Sequence, residues 1–119
     1  MASVAKIKLM DGQALSGDTT GSALSLGPRS DNFIAFLNVS AIGAGTSLVV
    51  TVQHSPNNST WFTLVAFTAA TATGSESKDQ AQFATAFQNV YPNVRAFADF
   101  TGGTTTATVD CHLYFDPGK

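Results

Sequence analysis

The sequence predicts an all-β protein: an antiparallel β-sandwich or small barrel with an extended N-terminal arm. Three observations support this fold class. Short segments rich in Val, Thr, Phe and Leu alternate apolar and polar residues, clusters of Gly, Pro, Asn and Ser separate these segments, and no segment between them has strong helical character. The 119 residues fit one domain with its own core. We expect about five or six body strands that pack two apolar faces together.

The strongest local signal is a β-hairpin at residues 46–67. Two apolar, β-branched segments flank residues 55–59, SPNNS, which favour a turn. Trp61 opens the second segment and is predicted to be the central core anchor. The residues of the first segment that share the expected core face are Leu48, Val50 and Val52.

The chain before the hairpin divides into an arm and the start of the body. Residues 1–27 are rich in Gly, Ser and Thr and alternate briefly at 4–9, which suits an edge strand or an arm laid along a neighbour. A disordered tail is the alternative. Residues 27–31 form a turn by composition, so the sandwich domain is expected to span 28–119. Residues 33–39 form an apolar run that predicts a central strand covered on both faces.

The chain after the hairpin contains a loop, an ambiguous segment and two strands. Residues 68–78 lack large side chains and predict a surface loop suited to contacts. Residues 80–88 fit either a helix or a strand, and we favour a strand because their neighbours are strands. Residues 94–100 and 104–115 alternate as strands around a Gly102-Gly103 turn. The face of the last strand expected to close the core is Val109, Cys111, Leu113 and Phe115.

Composition and charge exclude several classes of protein. The net charge is −2 and the six Lys and Arg residues are scattered, which disfavours nucleic-acid binding. No apolar run approaches the roughly 20 residues of a membrane span, and the N-terminus lacks the apolar block of a secretory signal. We therefore expect synthesis in a cytoplasm. Charged residues make up 12%, which fits either a Ser- and Thr-covered sheet or a surface that contacts another protein.

Few residues are available for catalysis or metal binding. Asp110 and His112 share a face of the last strand, as a His–Asp dyad would, but no Ser lies in a nucleophile motif and an exposed polar pair is the commoner arrangement. Metal binding by His54, His112 and Asp110 is no better supported, because close His or Cys spacing is missing. Cys111 is the single cysteine, on the apolar side of its strand, and is expected in the core. We predict no enzymatic activity and no catalytic, cofactor or metal site.

Three segments together resemble a group of small virion proteins of tailed bacteriophages. They are QHSPNNSTW at 53–61, YPNVRA at 91–96 and TGG at 101–103, which are similar to the hairpin, strand and turn of that group. The hairpin here has Asn-Asn where the group usually has Asp-Gly, and the strand has an additional Pro92-Asn93 between Tyr91 and Val94. The resemblance covers about residues 31–115. It implies a structural virion component, best matched by a capsid decoration (cement) protein that binds and stabilises the shell of major capsid protein. By analogy it implies a homo-oligomer, such as a trimer, on the capsid surface.

Two alternatives remain open from the sequence. Within the same class, the chain is a tail or head-tail connector component. In a different class it is a carbohydrate-binding module for host adsorption, in which Trp61, Tyr91 and Tyr114 stack on sugar rings if they are coplanar and exposed. In the decoration hypothesis, residues 1–26 and the loop at 68–78 contact the capsid, and the arm adds a strand to a partner's sheet edge.

Overall fold

The structure is a computed structural model that describes residues 5–25, 33–79, 93–103 and 105–115. These residues form strands β1 (Ala5–Leu15), β2 (Thr19–Thr20), β3 (Leu24–Ser25), β4 (Phe33–Ile42), β5 (Ser47–Ser55), β6 (Phe62–Ala66), β7 (Gly74–Asp79), β8 (Asn93–Thr101) and β9 (Ala107–Phe115). The all-β prediction is therefore confirmed. In these four ranges there is no helix with the length and hydropathy needed to cross a membrane.

The strands form two antiparallel sheets packed as a sandwich. Sheet I has the order β1-β9-β4-β7, and sheet II has the order β2-β8-β5-β6, with β3 also paired to β8. Strand β9 pairs with both β1 and β4, and β8 pairs with both β2 and β5. The central strands are therefore β9 and β4 in sheet I and β8 and β5 in sheet II, and neighbours on both sides satisfy their backbone hydrogen bonds.

The core lies between the sheets, and in the central strands every second side chain points into it. Sheet I contributes Leu9, Met10, Leu15, Ala35, Leu37, Val39, Ala107, Val109, Cys111 and Leu113. Sheet II contributes Leu48, Val50, Val52, Leu64, Val65, Phe67, Val94, Ala96, Ala98 and Phe100. The predicted core faces of β5 and β9 are confirmed, except that the side chain of Phe115 lies outside the described residues.

The prediction that Trp61 anchors the core is wrong. Trp61 precedes β6, is half-buried and lies outside the core cluster. The register of β6 against β5 shifts between Val52 and Gln53, so that Leu64 and Val65 both turn inward. This bulge changes which residues of the second hairpin strand face the core. Leu64, Val65 and Phe67 occupy the place that the sequence assigned to the indole ring.

Of the two alternatives for the N-terminal alternation, an edge strand or an arm laid along a neighbour, residues 5–15 form the edge strand. These residues form β1, which pairs with β9 of the same chain along its length. Leu9, Met10 and Leu15 are 6%, 1% and 4% exposed, so β1 contributes to the core. Strands β2 and β3 then continue in sheet II, so the N-terminal segment contacts both sheets. The proposed boundary at residues 27 and 28 lies outside the described residues.

Candidate functional site

Two carboxylates and an imidazole converge on the outer face of sheet I. Asp110 and His112 of β9 lie on the same face, as the alternation predicts, and Asp11 of β1 joins them. One ligand-type atom from each side chain lies within 4.8 Å of the other two. We refer to Asp11, Asp110 and His112 as the Asp-Asp-His cluster.

An irregularity in β1 brings Asp11 to this face. The register of β1 against β9 shifts on both sides of Met10, whose partner is Cys111, and resumes at Gln13. The chain therefore bulges at Asp11 and Gly12. Gly12 adopts a φ of 57°, in the left-handed region that glycine tolerates best. Its N–H donates a hydrogen bond to Oδ1 of Asp110, which ties the bulge to β9.

The two oxygens of Asp11 face different partners. Oδ2 lies 3.4 Å from Lys8 Nζ, and Oδ1 lies 4.0 Å from His112 Nε2. Asp11 and Lys8 are each at least half exposed, so their ion pair contributes roughly 0.2–1 kcal/mol. The side chain of His112 is only 9% exposed. Asp11 therefore connects a solvated lysine to a buried imidazole.

Aromatic rings pack beside the imidazole. His112 lies 6.2 Å, centroid to centroid, from both Phe36 of β4 and Tyr114 of β9, and these two rings are 6.4 Å apart. The register pairs Phe36 with His112 and Ile34 with Tyr114. Ile34 is 47% exposed. The imidazole is thus held by rings on one side and faces carboxylates on the other.

This geometry differs from the His–Asp dyad considered from the sequence. Asp110 accepts a hydrogen bond from Gly12 through Oδ1, and the carboxylate that approaches the His112 imidazole at 4.0 Å is that of Asp11 instead. Cys111 points into the core, where burial raises the pKa of its thiol to about 12 and makes it a poor nucleophile. The cluster therefore offers ligand atoms and charges rather than an activated nucleophile.

The structure separates His54 from the other two residues weighed for a metal site. His54 lies on the inner face of sheet II and is 0% exposed. Burial lowers the pKa of its imidazole to about 4, so it is neutral at pH 7. The three residues His54, His112 and Asp110, which the sequence did not favour as a metal site, therefore do not come together. Asp11 was missed, although the Asp-Gly pair that ends the β1 alternation is a signal for a bulge or turn.

Trp61 and Tyr114, two of the three aromatic residues considered for sugar binding, do not share a surface. Trp61 lies on the outer side of sheet II, with the Arg95 guanidinium 4.1 Å from its ring centroid. Gln53 accepts a hydrogen bond of 2.7 Å from Arg95 Nε and fixes that cation. Tyr114 lies on the outer face of sheet I, and Tyr91 is outside the described residues. Trp61 and Tyr114 therefore cannot stack on one sugar.

A groove opens where the edges of the two sheets meet. Its volume is about 340 Å³, and Leu37 and Val39 line it beside residues 68–72 and 74–76. Thr68, which follows β6, donates from its N–H and Oγ1 to the two carboxylate oxygens of Glu76 in β7, both at 2.9 Å. These bonds join the edge of sheet II to the edge of sheet I. We refer to residues 68–76 as the open edge.

The open edge overlaps the segment predicted as a surface loop at 68–78. The prediction holds for residues 68–73, of which Ala70 bridges to Leu48. It is wrong for residues 74–78, which belong to β7 and pair with β4. The strand was missed because GSESKD has no apolar alternation. The segment 80–88, predicted as a strand, lies outside the described residues.

Comparison of the chain with protein-family models, with curated proteins and with solved structures finds no match.

Proposed function

We propose that this chain is a non-enzymatic structural protein of a tailed-phage particle, a decoration protein that binds and stabilises the shell of major capsid protein. In this proposal it is a homo-oligomer on the capsid surface. The resemblance of the segments at 53–61, 91–96 and 101–103 to small virion proteins supports the class.

The observation that carries the proposal is the chemistry of the open edge. Residues 68–75, TAATATGS, have no charged side chain. Glu76, which follows them, is bound to Thr68 and lies 3.5 Å from Lys78 Nζ. Interface cores are depleted in charged residues, because an unpaired charge is costly to remove from water. The groove and its neutral rim therefore suit a neutral, partly apolar segment of a capsid subunit.

The backbone of β7 adds a second means of contact. Among the strands that the structure describes, β7 lies at one edge of sheet I, and its register against β4 runs without a shift from Gly74 to Asp79. A regular edge strand can pair with a strand from a partner. Strand β1, at the other edge, is interrupted by its bulge. We therefore assign the capsid contact to the open edge and β7 rather than to residues 5–15.

A binding experiment tests this assignment with a matched control. Particles of the phage that encodes the chain are prepared without it, mixed with purified protein and sedimented, and bound protein is quantified per capsid subunit. Thr71→Glu and Ala72→Glu place a charge at the exposed rim of the groove. Ser59→Glu places the same charge in the β5–β6 turn, about 23 Å away along β5.

We expect wild type and Ser59→Glu to bind equally. The two rim variants should bind at least about tenfold more weakly, because their carboxylates are buried without a partner. Equal binding by all four proteins would remove the open edge from the interface. If the wild-type protein did not bind capsids, or if imaging of particles located it at the tail or the head-tail connector, the proposed capsid partner would be replaced by a component of the tail or connector.

A further inference from the structure

We propose that Asp11, Asp110 and His112 form a binding site for one divalent transition-metal ion of the zinc, cobalt and nickel class, which links edge strand β1 to β9. The site goes beyond the proposed function and does not depend on it. It is built from three side chains of two strands that are far apart in sequence. One ligand-type atom of each lies within 4.8 Å of the others.

The distances fit an ion better than direct bonding. His112 Nε2 and Asp11 Oδ1 are 4.0 Å apart, which is too long for a hydrogen bond. Two ligands of a tetrahedral ion with bonds of about 2.0–2.2 Å lie about 3.3–3.6 Å apart, so Asp11 Oδ1 needs to move about 0.5 Å toward His112 to share an ion with it. Asp11 is 60% exposed, so its side chain can move toward the other ligands without disturbing the core.

Two of the ligands are oriented before any ion binds. His112 is 7% exposed and packs against the rings of Phe36 and Tyr114, so its imidazole presents Nε2 to the carboxylates from a fixed position. The Gly12 N–H donates to Oδ1 of Asp110 and orients that carboxylate. Hydrogen bonds of this kind, from groups that do not touch the metal, position ligands in metal sites.

The charge of the cluster also favours a cation. Two carboxylates approach one imidazole at the surface, and the contact from Lys8 to Asp11 is 3.4 Å long, with both side chains at least half exposed. A divalent ion between the carboxylates would offset their repulsion more strongly than this solvated lysine, because it would lie closer to both. The bulge at Asp11 and Gly12 brings the second carboxylate to the cluster.

The donor set selects the class of metal. One imidazole nitrogen and two carboxylate oxygens suit zinc, cobalt or nickel, with water in the remaining positions. Magnesium and calcium prefer six or more oxygen ligands and gain little from an imidazole. We therefore expect binding of Zn²⁺ and Co²⁺ and no comparable binding of Mg²⁺ or Ca²⁺.

The test uses the full-length protein after treatment with a chelator. Co²⁺ is titrated while its visible absorption is recorded, Zn²⁺ binding is measured by calorimetry, and the ring signals of both histidines are followed by NMR. We expect one ion per chain and a shift of the His112 signals, with the His54 signals unchanged. No Co²⁺ absorption and no heat with millimolar Zn²⁺ would overturn the proposal, as would a response confined to His54.

Three variants locate the site. Asp11→Asn and Asp110→Asn each remove one charged ligand, and in the second variant the new amide oxygen still accepts the bond from Gly12. Asp99→Asn, on an exposed residue of β8, is the matched control. We expect the first two variants to bind Zn²⁺ at least about tenfold more weakly than wild type, because each loses a charged ligand. The control variant should bind Zn²⁺ with wild-type affinity. Wild-type affinity in both cluster variants would overturn the assignment.

Discussion

The burial of His54 predicts a loss of stability in mild acid. Its imidazole is 0% exposed, and burial lowers its pKa from 6.5 to about 4. Below pH 6.5 the unfolded chain takes up a proton at this residue that the folded chain does not bind, so the free energy of unfolding falls as the pH falls. The loss levels off below the folded pKa of about 4.

The size of the effect follows from the two pKa values. A difference of about 2.5 units corresponds to roughly 3 kcal/mol once the pH is well below both values. Between pH 7 and pH 5 the same two values give a loss of about 2 kcal/mol. For a urea dependence of about 1–3 kcal/mol per molar, the unfolding midpoint should fall by about 0.7–2 M over that range.

The assay is urea unfolding at pH 7, 6 and 5, followed by far-ultraviolet circular dichroism. Carboxylates and His112 also contribute to the pH dependence, so the comparison is between wild type and His54→Gln, which keeps a polar side chain but removes the titrating group. We expect the variant to be less stable at pH 7 and to lose about 2 kcal/mol less between pH 7 and pH 5. An identical pH dependence in the two proteins would refute the reasoning.

Three further substitutions or reactions test the packing. Trp61→Ala should lower the free energy of unfolding by about 1–2 kcal/mol, because it removes a half-buried ring and one cation–π contact with Arg95. A loss above about 3 kcal/mol, measured by chemical denaturation, would contradict the surface position of Trp61. Gly103→Ala should lower the melting temperature, because Gly103 has a φ of 53° and a Cβ there would overlap the carbonyl carbon of Gly45; an unchanged melting temperature would contradict that approach. Cys111, whose thiol pKa is raised to about 12 by burial, should react with a thiol reagent at pH 8 only as fast as the protein unfolds. Labelling of Cys111 at the rate of a free thiol would place its side chain outside the core.

The sequence predicts correctly those parts of the fold that the alternation of apolar and polar residues within one strand determines. The inner faces of β5 and β9 follow from alternation, because a strand directs every second side chain to one face. The position of Trp61 did not follow, since the extra residue Leu64 shifts the register of β6 and no local signal marks that bulge. Strand β7 pairs with β4 and has polar residues on both faces, so alternation gave no sign of it.

The site was harder to predict than the fold for the same reason. Asp110 and His112 are two residues apart on one strand, and their shared face was visible in the sequence. Asp11 lies near the opposite end of the chain and reaches Asp110 only because β1 pairs with β9 inside the same chain and bulges at Gly12. An alternating segment indicates a strand, but it does not indicate which strand it will pair with.

The proposed metal site and the proposed capsid contact lie at opposite edges of sheet I, so they can be tested independently. The bulge in β1 both interrupts a regular edge and brings Asp11 to the cluster, whereas β7 keeps a regular register. Strands β9 and β4 lie between them, so the two edges are about 14 Å apart. Zn²⁺ should therefore slow amide hydrogen exchange in β1 and β9 without changing capsid binding, and Thr71→Glu should weaken capsid binding without changing Zn²⁺ affinity. If Zn²⁺ altered capsid binding, the capsid contact would have to include the β1 edge or the outer face of β9.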